Sequence, residues 1–146
     1  MATYVNIPAE EMAAYLSPMG FQAMECDGTV ELVYGVRVDR DDMPLSLRIY
    51  TGINPNGQSR EVGKDAIRVQ VMWRDGGGEV HRVGGSKRVH RVAGWRKNLL
   101  ARLEAWEEAI RGRCPRCGAP KVARKNKKGE EFTSCVMWPK TKCPGR

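Results

Sequence analysis

The chain has 146 residues, with 25 lysines and arginines against 17 aspartates and glutamates, a net charge of +8. That length suits one modest core with a small appendage, and 41% hydrophobic with 29% charged residues is the balance of a folded chain rather than a disordered one. No apolar run approaches the roughly 18 residues of a membrane span, and the opening "MATYVNIPAEEM" lacks the basic-then-apolar profile of a secretory signal.

The charge is unevenly distributed. Up to Ala66 there are five basic residues against ten acidic ones, a balance of −5; from Ile67 onward there are twenty against seven, a balance of +13. One part of such a molecule is suited to a polyanion and the other is not.

In chain order, the first predicted element is a short helix over 8–16. Pro8 suits a first helical turn, Glu10 and Glu11 favour the N-terminus, Met12, Tyr15 and Leu16 form one apolar face, and "SPMG" ends it. "FQAME" and "TVELVYGVRV" follow as β-prone runs around Asp27-Gly28, a hairpin signal. Cys26, alone beside that turn, reads as a small buried apolar residue. In "LSLRIYTGI" Leu45, Leu47 and Ile49 alternate with Ser46, Arg48 and Tyr50; in "AIRVQVMWR" Ile67, Val69, Val71 and Trp73 alternate with Arg68, Gln70, Met72 and Arg74. Period-two patterning predicts strands with one buried face and one wet face carrying arginines. The polar stretch 54–64 reads as a loop, and "DGGGE" as a hairpin loop leading into a short strand over 80–83. Trp95, Leu99, Leu103, Trp106 and Ile110 then recur at helical spacing, predicting one long helix that Gly112 stops.

Five cysteines cannot all pair internally, and four of them crowd into the tail, a pattern that favours a reducing compartment and metal binding. Cys114 and Cys117 form a CxxC knuckle; seventeen residues separate Cys117 from Cys135, and seven separate Cys135 from Cys143. Two such turns can close a tetrahedron of thiolates around one structural zinc ion, with an iron–sulfur cluster as the competing occupant. So short a segment buries too little to fold otherwise. The fold class expected is therefore α+β: an antiparallel sheet of four to five strands flanked by an N-terminal and a longer C-terminal helix (1–112), followed by a four-cysteine zinc module (113–146).

"CPRCG", the basic middle, "GEEFTSC" and the "WP" pair before the last cysteine resemble the C-terminal zinc ribbons of bacterial type I DNA topoisomerases. The resemblance covers about 112–146. It implies a ribbon fold with Cys114, Cys117, Cys135 and Cys143 as ligands, Phe132 on the strand entering the second knuckle, Trp138 and Pro139 in its turn, and an inclination toward single-stranded DNA. "CVMWPKTKC" is longer than that family's usual second knuckle, so an expanded loop is expected there. Nothing upstream resembles a topoisomerase.

Two basic clusters are candidates for phosphate contacts. In the tail they are Lys121, Arg124, Lys125, Lys127, Lys128, Lys140 and Lys142; in "HRVGGSKRVHRVAGWRK" they are Arg82, Lys87, Arg88, Arg91, Arg96 and Lys97. The second cluster is the better placed to direct a strand across the main domain. Trp138 and Phe132 have two readings, stacking on unpaired bases or packing over the small ribbon core. "GGSK" lacks P-loop spacing, and His81 and His90 read as surface or hydrogen-bonded residues.

The acidic half offers an enzymatic alternative. Asp39, Asp41, Asp42, Glu61, Lys64 and Asp65 are residue types found in magnesium-dependent nucleases, yet "EVGK" has the wrong spacing and "DRDD" reads as a hairpin loop. A protein-docking zinc ribbon is the third reading. The sequence favours a non-catalytic DNA-binding protein of a bacterium, plasmid or phage, cytoplasmic, preferring single strands and serving replication, recombination or repair. A homo-oligomer or an association with replication and recombination proteins would fit the same sequence.

Overall fold

The computed structural model describes residues 4–25, 31–54, 66–138 and 143. The Asp27-Gly28 turn, Cys26, Glu61, Lys64, Asp65, Pro139, Lys140 and Lys142 lie outside the described residues.

The order of elements is α1 (Ala9–Leu16), β1 (Gln22–Met24), β2 (Val33–Arg37), β3 (Leu45–Tyr50), β4 (Ile67–Arg74), β5 (Val80–Val89), α2 (Trp95–Glu104), a 3-10 turn (Trp106–Ala109), β6 (Lys121–Lys125) and β7 (Glu131–Cys135). Strands β1 to β5 form one antiparallel sheet in chain order, and β6 with β7 a separate hairpin. Each neighbour in the sheet is the next strand along the chain. Between β2 and β3 the turn is made by Asp41 (φ 51) and Asp42 (φ 62), with Arg40 bridging Met43. Positive φ at both central positions gives the twist of a type I′ hairpin, which aspartate tolerates.

The alternation read in the sequence sorts the two faces. Leu45, Leu47, Ile49, Ile67, Val69, Val71, Trp73, Val83 and Val89 belong to a single buried cluster with Met12 and Leu16 of α1 and Trp95, Leu99 and Leu103 of α2. The same cluster continues through Ile110 into Cys114, Ala119, Val122 and Cys135 of the tail. Arg111 N–H donates to the Lys121 carbonyl and Lys121 N–H to Gly112, so backbone pairing begins just ahead of the first cysteine.

Two elements differ from expectation. Strand β5 does not stop near Val83 but runs to Val89. Val69 pairs with Lys87 and Val71 with Val83, so Gly84, Gly85 and Ser86 bulge opposite Gln70. The bulge releases carbonyls from the ladder, and the buried Gln70 amide donates to Val71, Val83 and Gly84, satisfying them. Helix α2 ends at Glu104 rather than continuing to Ile110. Glu104, Glu107 and Glu108 would stand at the negative end of a longer helix, an unfavourable placement for carboxylates. The chain tightens into the 3-10 turn instead, and Ile110 is buried from an extended segment.

Candidate metal centre and basic surfaces

The tail gathers its four cysteines. Cys114 and Cys143 sulfurs lie 3.6 Å apart, Cys117 and Cys135 3.5 Å, and Cys143 and Cys117 3.7 Å; all four fall within 4.8 Å of one another. A tetrahedron with metal–sulfur bonds of about 2.3 Å has edges of about 3.8 Å, whereas a disulfide would be near 2.05 Å. The donor set therefore fits one tetrahedral metal ion and leaves no room for a multinuclear cluster.

Local structure explains why the sulfurs converge. Gly118 N–H donates to the Cys114 carbonyl and Cys114 N–H to Ala119, closing the first knuckle. Gly118 sits at φ +75, and a Cβ there would lie 3.1 Å from Arg113 Nη2, so glycine suits both the backbone and the space. In the second knuckle Met137 N–H points at Cys135 Sγ at 3.4 Å, and Val136 N–H donates to Pro120, tying it to the start of β6.

The thiols affect one another strongly. Burial works against a thiolate at Cys114, but the N–H groups of Cys117 and Arg116 and the Cys143 and Cys117 sulfurs outweigh it and bring the thiol down to about 7. Burial pushes Cys135 far up, with its three sulfur neighbours adding to the effect, and burial also raises Cys117. Four sulfurs this close cannot all carry negative charge without a cation between them.

Among the described residues a second group with metal-ligand donors is Asp75, Glu79 and His81. Here Asp75 Oδ1 accepts N–H bonds from Gly77 and Glu79, and Oδ2 lies 2.8 Å from His81 Nε2. His81 is buried and stacked on Trp73, a hydrogen-bonded role. The His81 contact, with the two N–H bonds, holds the Asp75 carboxyl below its ordinary value despite some desolvation. Among the described residues Asp39, Asp41 and Asp42 join no such group: Asp41 and Asp42 occupy the exposed hairpin turn, and Asp39 is held by Arg37.

The basic candidates separate. Arg82, Lys87 and Arg88 are exposed on edge strand β5, and Lys97 is exposed on α2. Arg96 is partly engaged, lying over the Trp95 ring and pairing with Glu11 at 3.1 Å, which ties α2 to α1. Arg91 is a correction to the sequence reading: it is 0% exposed, and its guanidinium donates to the Thr51 carbonyl. A residue so placed cannot touch a phosphate. Gly52, at φ +68, leaves the room that Arg91 fills, and its N–H donates to buried Glu31, which also pairs with Arg68.

On the β6–β7 hairpin Lys125, Lys127 and Lys128 are exposed, while Lys121 and Arg124 are half-buried. Phe132 pairs in register with Arg124, and Phe132 and Trp138 are each 46% exposed.

Register also joins to Arg82 and Arg88 four arginines that were not among the sequence candidates. Pairing Arg48 with Gln70, Arg68 with Arg88, Met72 with Arg82 and Arg74 with Val80 sets Arg48, Arg68, Arg74, Arg82 and Arg88 on one outer face, with Arg37 beside them on β2. The alternation of β3 and β4 was the available signal for this face; the alignment with β5 depended on the bulge.

Comparison with protein-family models, curated proteins and solved structures finds no match to the chain.

Proposed function

We propose that the protein is a non-catalytic DNA-binding protein that prefers single strands and serves replication, recombination or repair, with one structural zinc organising its tail as a ribbon. The observation that carries this reading is the half-exposure of Phe132, on a small hairpin whose Lys125, Lys127 and Lys128 are exposed, and of Trp138 just beyond it. Half-exposed aromatic side chains on a module rich in cations suit unpaired bases and their phosphates. Bases within a duplex offer no free face, which gives the preference for single strands.

Zinc is the ion that four thiolates at tetrahedral spacing favour, and with every position taken by Cys114, Cys117, Cys135 and Cys143 its part is structural. Its binding energy, on the order of 10 kcal/mol, supplies the stability that a hairpin burying little more than Cys114, Ala119, Val122 and Cys135 does not. Four thiolates and one divalent cation leave −2, which the surrounding lysines and arginines outweigh. Those cations, with Arg82, Lys87 and Arg88 on the sheet edge, neutralise phosphates and release counterions, so the affinity is independent of sequence and steeply dependent on salt. A site that works through cysteine thiolates suits a reducing compartment, which supports the cytoplasm as its location.

The test is a titration of labelled single-stranded DNA, duplex DNA and RNA across a salt series, with and without magnesium. The reading expects salt-sensitive binding, tightest for single-stranded DNA, and intact oligonucleotide at the end. Magnesium-dependent cleavage or an absence of binding at low salt contradicts it.

A further inference from the structure

We propose that the outer face of the five-stranded sheet is a second nucleic-acid site, one that grips the sugar–phosphate backbone without reading bases. It rests on the nucleic-acid reading above but uses a different surface from the cysteine module.

Six arginines come from four strands to this face: Arg37 of β2, Arg48 of β3, Arg68 and Arg74 of β4, and Arg82 and Arg88 of β5. Two have carboxylate partners, Arg37 with Asp39 and Arg68 with Glu31. Arg74, Arg82 and Arg88 are exposed and have no carboxylate partner among the described residues. Among the described residues Arg48 donates from Nη1 to Tyr50 Oη, and its Nε is buried without an acceptor. Arg68 stands directly opposite Arg88, and Arg74 is diagonal to Arg82. Like charges so arranged repel at separations of roughly 5 to 8 Å. A row of phosphates laid across the strands relieves that repulsion.

The shape agrees with the charge. A cleft of about 560 Å³ opens on this face between Arg37, Arg48 and Arg74, with Gln22 and Ser46 as further polar lining. Asp39, the carboxylate among its described lining residues, is already held by Arg37. Among the described residues the face presents no large exposed aromatic: Tyr50 is half-buried with the Arg68 guanidinium over its ring. The site therefore engages phosphates, whose fork geometry arginine matches, and treats single strands and duplexes alike. Strand preference is left to Phe132 and Trp138 on the cysteine module.

The experiment compares wild-type protein with R74Q/R82Q/R88Q, and with R40Q/R102Q/R111Q as a control that removes equal charge elsewhere. Each is titrated against a labelled oligo-dT strand and a duplex of the same length between 50 mM and 300 mM salt. Losing three phosphate contacts reduces the slope of log K against log salt by about 2 for single strands and lowers affinity about 100-fold at 0.1 M salt. A comparable loss is expected for the duplex, and less than about threefold for the control. Because variants can disturb folding, wild-type protein is also modified with phenylglyoxal and mapped by mass spectrometry; bound oligo-dT should protect Arg74, Arg82 and Arg88. If wild-type protein binds and the triple variant matches it or the control, or if no protection appears, the sheet-face site is wrong, and with it the phosphate role given to Arg82 and Arg88, while strand binding by the cysteine module stands. If wild-type protein binds neither oligonucleotide, both fall together.

Discussion

Arg91 separates the structural account from the sequence reading most sharply. In sequence it belongs to a basic run, and a surface role predicts that its loss weakens nucleic-acid binding; in the structure it is 0% exposed and bonded to the Thr51 carbonyl. Arg91→Met keeps most of the aliphatic stem and removes the charged donor. Thr51, also 0% exposed, keeps its carbonyl inside without that partner. Breaking a charged hydrogen bond whose acceptor stays buried costs about 3 kcal/mol. With an unfolding entropy near 2.1 cal/mol/K per residue, 146 residues give about 0.3 kcal/mol/K, so the melting temperature should fall by about 10 °C. Calorimetry at fixed zinc concentration measures this, with Lys87→Gln as an exposed comparison expected to shift by no more than about 2 °C. Below its melting point the Arg91→Met variant should bind oligonucleotide as the wild type does. A shift under about 3 °C combined with weakened binding would refute the reasoning, because Arg91 would then be a surface contact and the Glu31–Thr51–Gly52 corner would be built differently.

Replacing Cys114 and Cys117 together by serine should abolish metal binding and strip the β6–β7 amides of hydrogen-exchange protection; full metal content in that variant refutes the ligand set. Phe132→Ala and Trp138→Ala should each weaken single-strand binding roughly ten- to a hundred-fold while changing duplex binding much less, and equal losses for both substrates would place these rings in packing instead. Asp75 has a lowered pKa, chiefly through His81, so the stability it contributes is present above the unfolded value near 3.9 and is lost as pH falls through the lower folded value. Urea midpoints of wild type and Asp75→Asn should accordingly differ at pH 7 and converge toward pH 3; a constant gap across that range excludes the carboxylate as the cause.

The parts of the fold that were legible in the sequence were those encoded by local periodicity. Leu45, Leu47 and Ile49 announce β3, and Trp95, Leu99 and Leu103 announce the buried stripe of α2. The cysteine spacing likewise announced the four-sulfur cluster. What the sequence hid was decided by partners far along the chain. The glycines at 84 and 85 look like the end of a strand, yet β5 crosses them, with the Gln70 amide of the neighbouring strand bonded to the Val83 and Gly84 carbonyls. Arg91 is indistinguishable from Arg88 in a basic run because its burial depends on Thr51 and Gly52, about forty residues earlier. The outer arginine face needed the register of four strands at once, and a bulge of the kind between Val69 and Val71 makes such a register unreadable from spacing alone.

The claim on which the rest depends is that four thiolates enclose a single metal ion. Elemental analysis of the protein, purified under reducing conditions without added metal, tests it directly: the account predicts one zinc per chain, bound without inorganic sulfide. A metal-free protein that keeps its β6–β7 hairpin, or one carrying several irons with acid-labile sulfide, contradicts it.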